Sequence, residues 1–299
     1  MRNYLNSSLG KREIDDRNNP TERAQVEQYY NRKTKNLVDK YGPGPRIHYH
    51  LGQFDSGPPR NLTAHEIKDV IRAAQEDLLD LAASEWSAIN TLRGRVIDFG
   101  CGLGGGSIFW AQNFGSNVTA VTSALEHIPL IRRFAEQAGV ADRIDVLGGD
   151  ACEVPAQGTF QAALAIESSC YFPLNSWFSH LSSIIALGGK IFIEDVFPSR
   201  PGGTALWDSY FHAHSAPIDA YQRAAEANGF RITSQCDITA GTAEFWLWSA
   251  AWIRAKLCEG LVDRRQVDRL RVSLETHNRL YHEWIAGGLE VGLLAFERV

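Results

Sequence analysis

The feature that most limits what this 299-residue chain can become is Val96-Ile-Asp-Phe-Gly-Cys-Gly-Leu-Gly-Gly-Gly106. A short apolar run gives way to five glycines within seven residues. Val96 to Phe99 read as a buried strand, and the glycines as a turn whose bare backbone lets N–H groups and a helix start approach a ligand. A strand ending this way belongs in an α/β sheet, where ligands sit beyond the carboxyl ends of the strands. The loop alone would serve many nucleotides.

The flanking pattern agrees. Strands are expected at Arg95–Phe99, Asn117–Thr122, Ile144–Gly148, Phe160–Ile166, Lys190–Asp195, Phe230–Asp237 and Val291–Glu297. Helices are expected at Gly105–Asn113, Leu125–Ala138, Asn175–Leu187, Ile218–Asn228, Thr242–Cys258 and Asp263–Ile285. Alternation of this kind predicts an α/β fold: a seven-stranded, Rossmann-like, mostly parallel sheet with helices on both faces. Residues 1–62 read as an N-terminal arm and cap segment. Residues 1 to about 20 are polar and predict a mobile arm, a helix begins near Thr21, and Tyr41-Gly-Pro-Gly-Pro45 stops it. After Ile47-His-Tyr-His-Leu-Gly52, a second breaker at Ser56-Gly-Pro-Pro59 leads to the main domain, 63–299, which opens on an amphipathic helix through Ile67, Ile71 and Leu78. Within it, about 198–217 is too aromatic for a solvated linker and reads as a lid insertion.

A net charge of −5 and no recognised basic motif argue against a nucleic-acid partner. No run approaches the roughly 20 apolar residues of a membrane helix. Cys101, Cys152, Cys170, Cys236 and Cys258 are scattered without a C-x-x-C pair, so neither a disulfide framework nor a zinc site is expected. A cytoplasmic protein acting on a small molecule is the expectation, and the polar arm and Trp-rich C-terminal helices offer surfaces for a homo-oligomer.

Asp98, Gly100, Gly102 and Gly104, with Asp150 after the third strand, point the loop toward S-adenosylmethionine (SAM). A Rossmann NAD site would carry G-x-G-x-x-G and an acidic residue ending the second strand, which instead ends Val121-Thr-Ser123. The loop resembles the first motif of class I SAM-dependent methyltransferases, hydrophobic-hydrophobic-Asp-x-Gly-Cys-Gly-x-Gly, over roughly residues 90–195. The resemblance implies that Asp98, Gly100, Cys101 and Gly102 line the methionine end of SAM and that Asp150 and Ala151 meet the adenine. Thr122 matches the Gly-Val-Thr-Leu-Ser of a subgroup with cyclopropane fatty acid synthases and terpene C-methyltransferases. Ser123 and Ala124 depart from it, and His127 falls near its Gln.

The fourth strand ends Ala165-Ile-Glu-Ser-Ser-Cys-Tyr-Phe172, which places Glu167 at the ligand end of the sheet. A structural hydrogen-bond acceptor is the competing reading of that carboxylate, and its place at the strand end favours a functional role. The segment resembles Asn-Asn-Glu-Ser-Thr-Met-Tyr of the geranyl diphosphate C-methyltransferases. Ile47–Gly52 is similar to that family's Tyr-His-His-His-Tyr-Gly, Tyr30-Asn31 to its Trp-Asn, and the tail Val291–Val299 to its closing strand.

The resemblance implies methylation of an alkene carbon in a prenyl diphosphate, geranyl or farnesyl, in terpenoid secondary metabolism, with Mg²⁺ on the diphosphate. Such chemistry needs an alkene held near the methyl, aromatic faces for the resulting cation, and a base. Glu167 is the candidate base, with Tyr49 and His48 beside it as catalytic candidates. Tyr171, Phe172, Trp207, Tyr210, Phe211 and Trp246 are candidates for the substrate wall. Trp246, Trp248 and Trp252 also read as ordinary core at helical spacing. Arg46 leads the basic candidates for a diphosphate head, with Arg32, Lys33 and Lys35; solvated surface charge is their default reading. His48 and His50 would share a face, which permits diphosphate or Mg²⁺ contacts, though the pair alone does not make a metal site, and no metal ligands are assigned. O- or N-methylation of a small metabolite, C-methylation of an already prenylated product, and ligand binding without turnover are the competing readings.

Overall fold

A computed structural model describes residues 20–155, 159–260 and 262–299, so the expected arm lies, apart from Pro20, outside the described residues. Strands β1 (Arg95–Phe99), β2 (Asn117–Thr122), β3 (Ile144–Gly148), β4 (Phe160–Ile166), β5 (Ile185–Pro198), β6 (Phe230–Asp237) and β7 (Leu289–Arg298) form one sheet in the order β3-β2-β1-β4-β5-β7-β6. β1 to β5 run parallel, and β7 lies antiparallel between β5 and β6. Alternation along β4 sends Ala162 and Leu164 to one face and Ala163 and Ala165 to the other, each into its own buried cluster. A strand buried on both faces needs the unbroken apolar run that β4 has.

The helices are α1 (Pro20–Tyr41), α2 (Ala64–Glu85), α3 (Ile89–Leu92), α4 (Gly105–Phe114), α5 (Ile128–Gln137), α6 (Leu174–Ile184), α7 (Ala205–Phe211), α8 (Ile218–Ala227), α9 (Thr239–Thr242), α10 (Glu244–Glu259) and α11 (Arg264–Ile285). One sheet face buries Ile71, Leu78 and Leu79 of α2 with Trp246 and Ile253 of α10. The other buries Trp177, Phe178 and Leu181 of α6 with Tyr221 and Ala224 of α8. Thr63 starts α2 in a capping box with Glu66, and Asp263 starts α11 in another with Gln266, so both helices begin where a side chain satisfies otherwise orphan N–H groups. The helix expected over Asn175–Leu187 stops at Ile184 instead. Ile185 already pairs with Phe160 as the first residue of β5, and the 76% exposed Leu187 with Gly188 at φ +74° lies in the irregular stretch before Lys190 pairs with Ala162.

Sheet order locates the site. After β1 the chain builds outward through β2 and β3, and after β4 through β5, so the crevice between these halves opens beyond the adjacent ends of β1 and β4. Gly100 leaves one strand there and Glu167 the other. Segment 47–54 crosses this crevice, held by Gln75 Nε2 donating to the His50 carbonyl at 2.6 Å and by Gln53 N donating to the Ala74 carbonyl at 2.8 Å. The α7 stretch expected as a lid buries Trp207 and Phe211. Among the described residues, no helix is long and apolar enough to cross a membrane.

Candidate active site

Two cavities meet at the crevice. The first spans about 860 Å³, counting the part open to solvent, and is lined by the glycine loop, Asp98, Thr122, Ser123, His127 and Phe172. The second, about 1170 Å³, is lined mainly by α1, α7, α10 and α11. Tyr30, Tyr49, His50, Glu167 and Tyr171 belong to both linings and form the wall between them.

The first cavity fits SAM. Gly100, Gly102 and Gly104 take φ of +73°, +56° and +82°, the left-handed region that turns backbone rather than side chains toward a ligand. A Cβ on Gly100 would stand 2.4 Å from Ser168 Cβ, and one on Gly105 would stand 2.4 Å from the Ile47 carbonyl oxygen. Those contacts explain glycine at both positions, with the glycine loop pressed between β4's end and segment 47–52. Asp98 is buried and accepts a hydrogen bond from Ser107 Oγ at 2.6 Å; burial pushes its carboxyl up to about 7 against the lowering effect of that bond. His127 Nδ1 donates to the Gly102 carbonyl at 3.0 Å while its Nε2 meets Thr34 Oγ1 at 2.9 Å, which ties α1 to the loop. Thr122 and Cys101 line the same space. Asp150 and Ala151 follow β3 but stand outside this lining, with Asp150 Oδ1 accepting from Cys152 N at 2.7 Å.

Glu167 is the central group of the dividing wall. Its φ of +43° is uncommon for a residue with a side chain, and its N–H donates to the Glu194 carbonyl at 2.8 Å. Its Oε1 accepts from Leu51 N. Burial raises its pKa well above the usual carboxylate range, opposed by the Leu51 bond and assisted by Asp195. Asp195 is held by Ser169 Oγ at 2.6 Å and by Val196 and Cys170 N–H groups, whereas neither oxygen of the fully buried Glu194 has a hydrogen-bond partner among the described residues. Burial likewise drives Glu194 toward its neutral acid.

Aromatic rings surround the larger cavity. Tyr30 donates to Tyr171 Oη at 3.0 Å, and Tyr171 in turn to the Phe211 carbonyl at 2.9 Å. Tyr49 lies 5.6 Å from Tyr41 and 6.4 Å from Phe211, ring centre to ring centre. Trp207 packs 4.3 Å from Phe211 and 6.1 Å from Trp246. Tyr171, Trp207, Tyr210, Phe211 and Trp246, all expected from the sequence, line this space together. Trp246 is both core and wall.

Three expectations are corrected. Phe172 lines the first cavity rather than the aromatic one, packed on Phe99 and Trp177. Arg46 lines neither cavity; its guanidinium pairs with Glu76 of α2 at 3.0 Å, because segment 47–54 runs along α2 and carries Arg46 to that helix's outer side. His48 faces only the first cavity, with Nδ1 3.3 Å from His50 Nε2, and it is His50 that reaches the dividing wall. Residues not singled out from sequence also line the larger space, notably Lys40 and Tyr41 on α1 and Gln266, Ser273 and His277 on α11. The α11 positions are spaced at seven and four, a one-sided pattern available in the sequence but hidden by its polar character.

The described residues build no protein cage for Mg²⁺, so an ion on the diphosphate would be carried chiefly by the diphosphate itself. Among the described residues no group of three or more His, Cys, Asp or Glu side chains is placed to hold a metal ion. The carboxylates lining the larger cavity are Glu167, in the wall, and Asp39, which faces Lys256 at 3.4 Å. Asn31 Oδ1 is buried without a partner, but Asn31 lines neither cavity.

A methyltransferase domain family matches residues 96–189. The chain is 28% identical over 212 residues to geranyl diphosphate 2-C-methyltransferase of Streptomyces lasalocidi, covering 69% of each chain. It is 26% identical over 214 residues to a probable tocopherol O-methyltransferase, chloroplastic, of Oryza sativa subsp. japonica, covering 67% of this chain and 58%, less than two thirds, of that relative. The fold superposes with a TM-score of 0.73 at 19% identity on the crystal structure of geranyl diphosphate C-methyltransferase from Streptomyces coelicolor A3(2) in complex with Mg²⁺, geranyl diphosphate and S-adenosyl-L-homocysteine, covering 94% of this chain and 99% of that one.

Proposed function

We propose that this class I SAM-dependent methyltransferase methylates an alkene carbon of a prenyl diphosphate, geranyl or farnesyl, with Glu167 taking up the proton released. The observation that carries the reading is the position of Glu167 in the one wall shared by the glycine-loop cavity and the aromatic cavity. The Streptomyces relatives named for geranyl diphosphate support the substrate class.

Bound SAM supplies an electrophilic methyl group; the chain's own residues do the rest. The glycine-loop backbone, Asp98, Thr122 and His127 hold the donor. Tyr30, Tyr49 and Tyr171 fix the passage between the cavities, and their network keeps Tyr30 and Tyr171 hydroxyls bonded to protein rather than free to trap a cation. Tyr49, Trp207 and Phe211 offer ring faces to a positive charge, each worth about 0.5–2 kcal/mol. Burial raises Glu167, and the positive charge of a bound donor would oppose that shift, so Glu167 would release its own proton to solvent as the donor binds and the resulting carboxylate would accept the proton lost from the carbon next to the new methyl-bearing one.

The test incubates the protein and SAM with geranyl, farnesyl and isopentenyl diphosphates, with geraniol and with a prenylated phenol, and determines product mass and methyl position. A gain of one methylene on carbon of geranyl or farnesyl diphosphate is expected. Gain only on the phenol oxygen or only on the already prenylated ring would overturn the substrate class. Glu167→Gln keeps the acceptor for Leu51 N, so it should bind SAM normally and turn over about 10²–10⁴-fold more slowly; unchanged turnover removes Glu167 as the base.

A further inference from the structure

The larger cavity is lined by two lysines that no carboxylate among the described residues meets at ion-pair distance. Lys33 and Lys40 occupy one face of α1, and Arg269, Ser273 and His277 look across from α11. Lys33 Nζ lies 4.0 Å from the Tyr29 ring centre and 5.2 Å from that of Tyr210, and also contacts the Tyr29 hydroxyl. Lys40 Nζ lies 4.9 Å from the Tyr41 ring and 5.8 Å from Trp252, and donates to Ser249 Oγ at 3.2 Å. Neither ammonium has a carboxylate within ion-pair distance among the described residues, whereas Arg46, Lys190 and Lys256 each have one. His277 is 5% exposed and lines the same cavity, and its Nδ1 has no hydrogen-bond partner among the described residues.

Enclosed ammonium groups are expensive, and ring faces return only part of their lost hydration. Burial lowers Lys33 to about 8 and Lys40 to about 7, and both lysines act on His277 as positive neighbours, so the three groups surround one volume. A cavity that hosts a developing cation at the Glu167 end gains nothing from two uncompensated lysines unless the ligand brings its own negative charge to the other end. Two lysines, with Arg269 beside them, exceed what a single carboxylate would neutralise.

We propose that Lys33, Lys40 and His277 form a metal-independent anchor for the diphosphate head of the substrate, taking the place a divalent cation would fill. This rests on the prenyl diphosphate reading above and adds how the head is held. Each lysine has N–H donors to turn toward phosphate oxygens, and the unpartnered His277 nitrogen supplies a further one when protonated.

The test measures equilibrium binding, not turnover, of geranyl diphosphate, geranyl monophosphate, geraniol and inorganic diphosphate to protein saturated with S-adenosyl-L-homocysteine, in excess EDTA and in millimolar Mg²⁺. Geranyl diphosphate affinity in EDTA is expected to stay within threefold of its value in Mg²⁺. Lys40→Met and Lys33→Met are each expected to weaken geranyl diphosphate by at least tenfold, with geraniol and S-adenosyl-L-homocysteine within twofold; the last also reports that the variants fold. A loss of more than tenfold in EDTA, or variants that bind geranyl diphosphate like the wild type, would overturn the anchor while leaving the substrate class standing. Binding of geraniol but of neither phosphorylated compound, with or without Mg²⁺, would overturn both.

Discussion

Replacing Lys40 by methionine should make the ligand-free protein more stable, by an amount that depends on pH in a direction set by the buried ammonium. Burial, with Lys33 as a positive neighbour, lowers Lys40 from 10.5 to about 7. Between these values the unfolded chain keeps the proton and the folded chain sheds it, so this group's contribution to stability improves as pH rises. Its penalty is complete below about pH 7 and gone above about 10.5. At ~1.36 kcal/mol per tenfold change the ceiling is on the order of 5 kcal/mol; with part of the side chain reaching solvent, roughly 2–4 kcal/mol is expected. In a domain of this size 1 kcal/mol moves the melting temperature by about 2 °C, so Lys40→Met should melt roughly 4–8 °C above wild type near pH 6.5. Near pH 9.5 about a third of that difference should remain. Scanning calorimetry of both proteins over this range is the assay. A variant melting at or below the wild type near pH 6.5, or a difference that stays flat with pH, refutes an uncompensated buried ammonium at Lys40. A structural lysine, holding the cavity together through Ser249, would give that opposite sign.

Two further outcomes follow from the glycine-loop cavity. Gly105→Ala would drive a Cβ into the Ile47 carbonyl and displace segment 47–51, so we expect about 1–3 kcal/mol of lost stability and at least tenfold weaker S-adenosyl-L-homocysteine binding by calorimetry; wild-type affinity would show that the segment yields freely. Ser107→Ala strips Asp98 of its hydroxyl donor and should cost about 1–3 kcal/mol near pH 8, where Asp98 is ionised, and distinctly less near pH 5, where its carboxyl carries its own proton; equal losses at both pH values in urea titrations would contradict the raised Asp98 pKa.

The sheet was legible because its signals are local. Every strand expected from apolar runs between breakers is present, and Gly100 and Glu167 follow directly once β1 and β4 are neighbours. Alternation likewise brought His48 and His50 together, as their rings, 5.2 Å apart, confirm. What stayed hidden depends on contacts between distant stretches. Arg46 looked like a headgroup ligand because it precedes the His-Tyr-His segment, and only the approach of α2 gives it Glu76. Lys40 and His277 are 237 positions apart in sequence and neither stands in a recognisable motif. Their meeting is a property of how α1 and α11 close over the sheet, and polar residues at helical spacing carry no sign of whether that face meets water or a cavity.

The two cavities also divide the chain by origin. The domain match spans 96–189 and contains the whole glycine loop, yet of the larger cavity's lining it contains only Glu167 and Tyr171. Every other lining residue comes from Tyr30–Leu51 or from Trp207–His277. The glycine-loop cavity takes most of its lining from the matched stretch, with Ile47, His48 and Leu79 among the residues added from outside it, whereas the larger cavity is built almost wholly by the flanks. Under the proposed function, a different acceptor calls for exchanging the two flanking stretches as a pair while the glycine loop and Glu167 stay; exchanging one without the other leaves half a container.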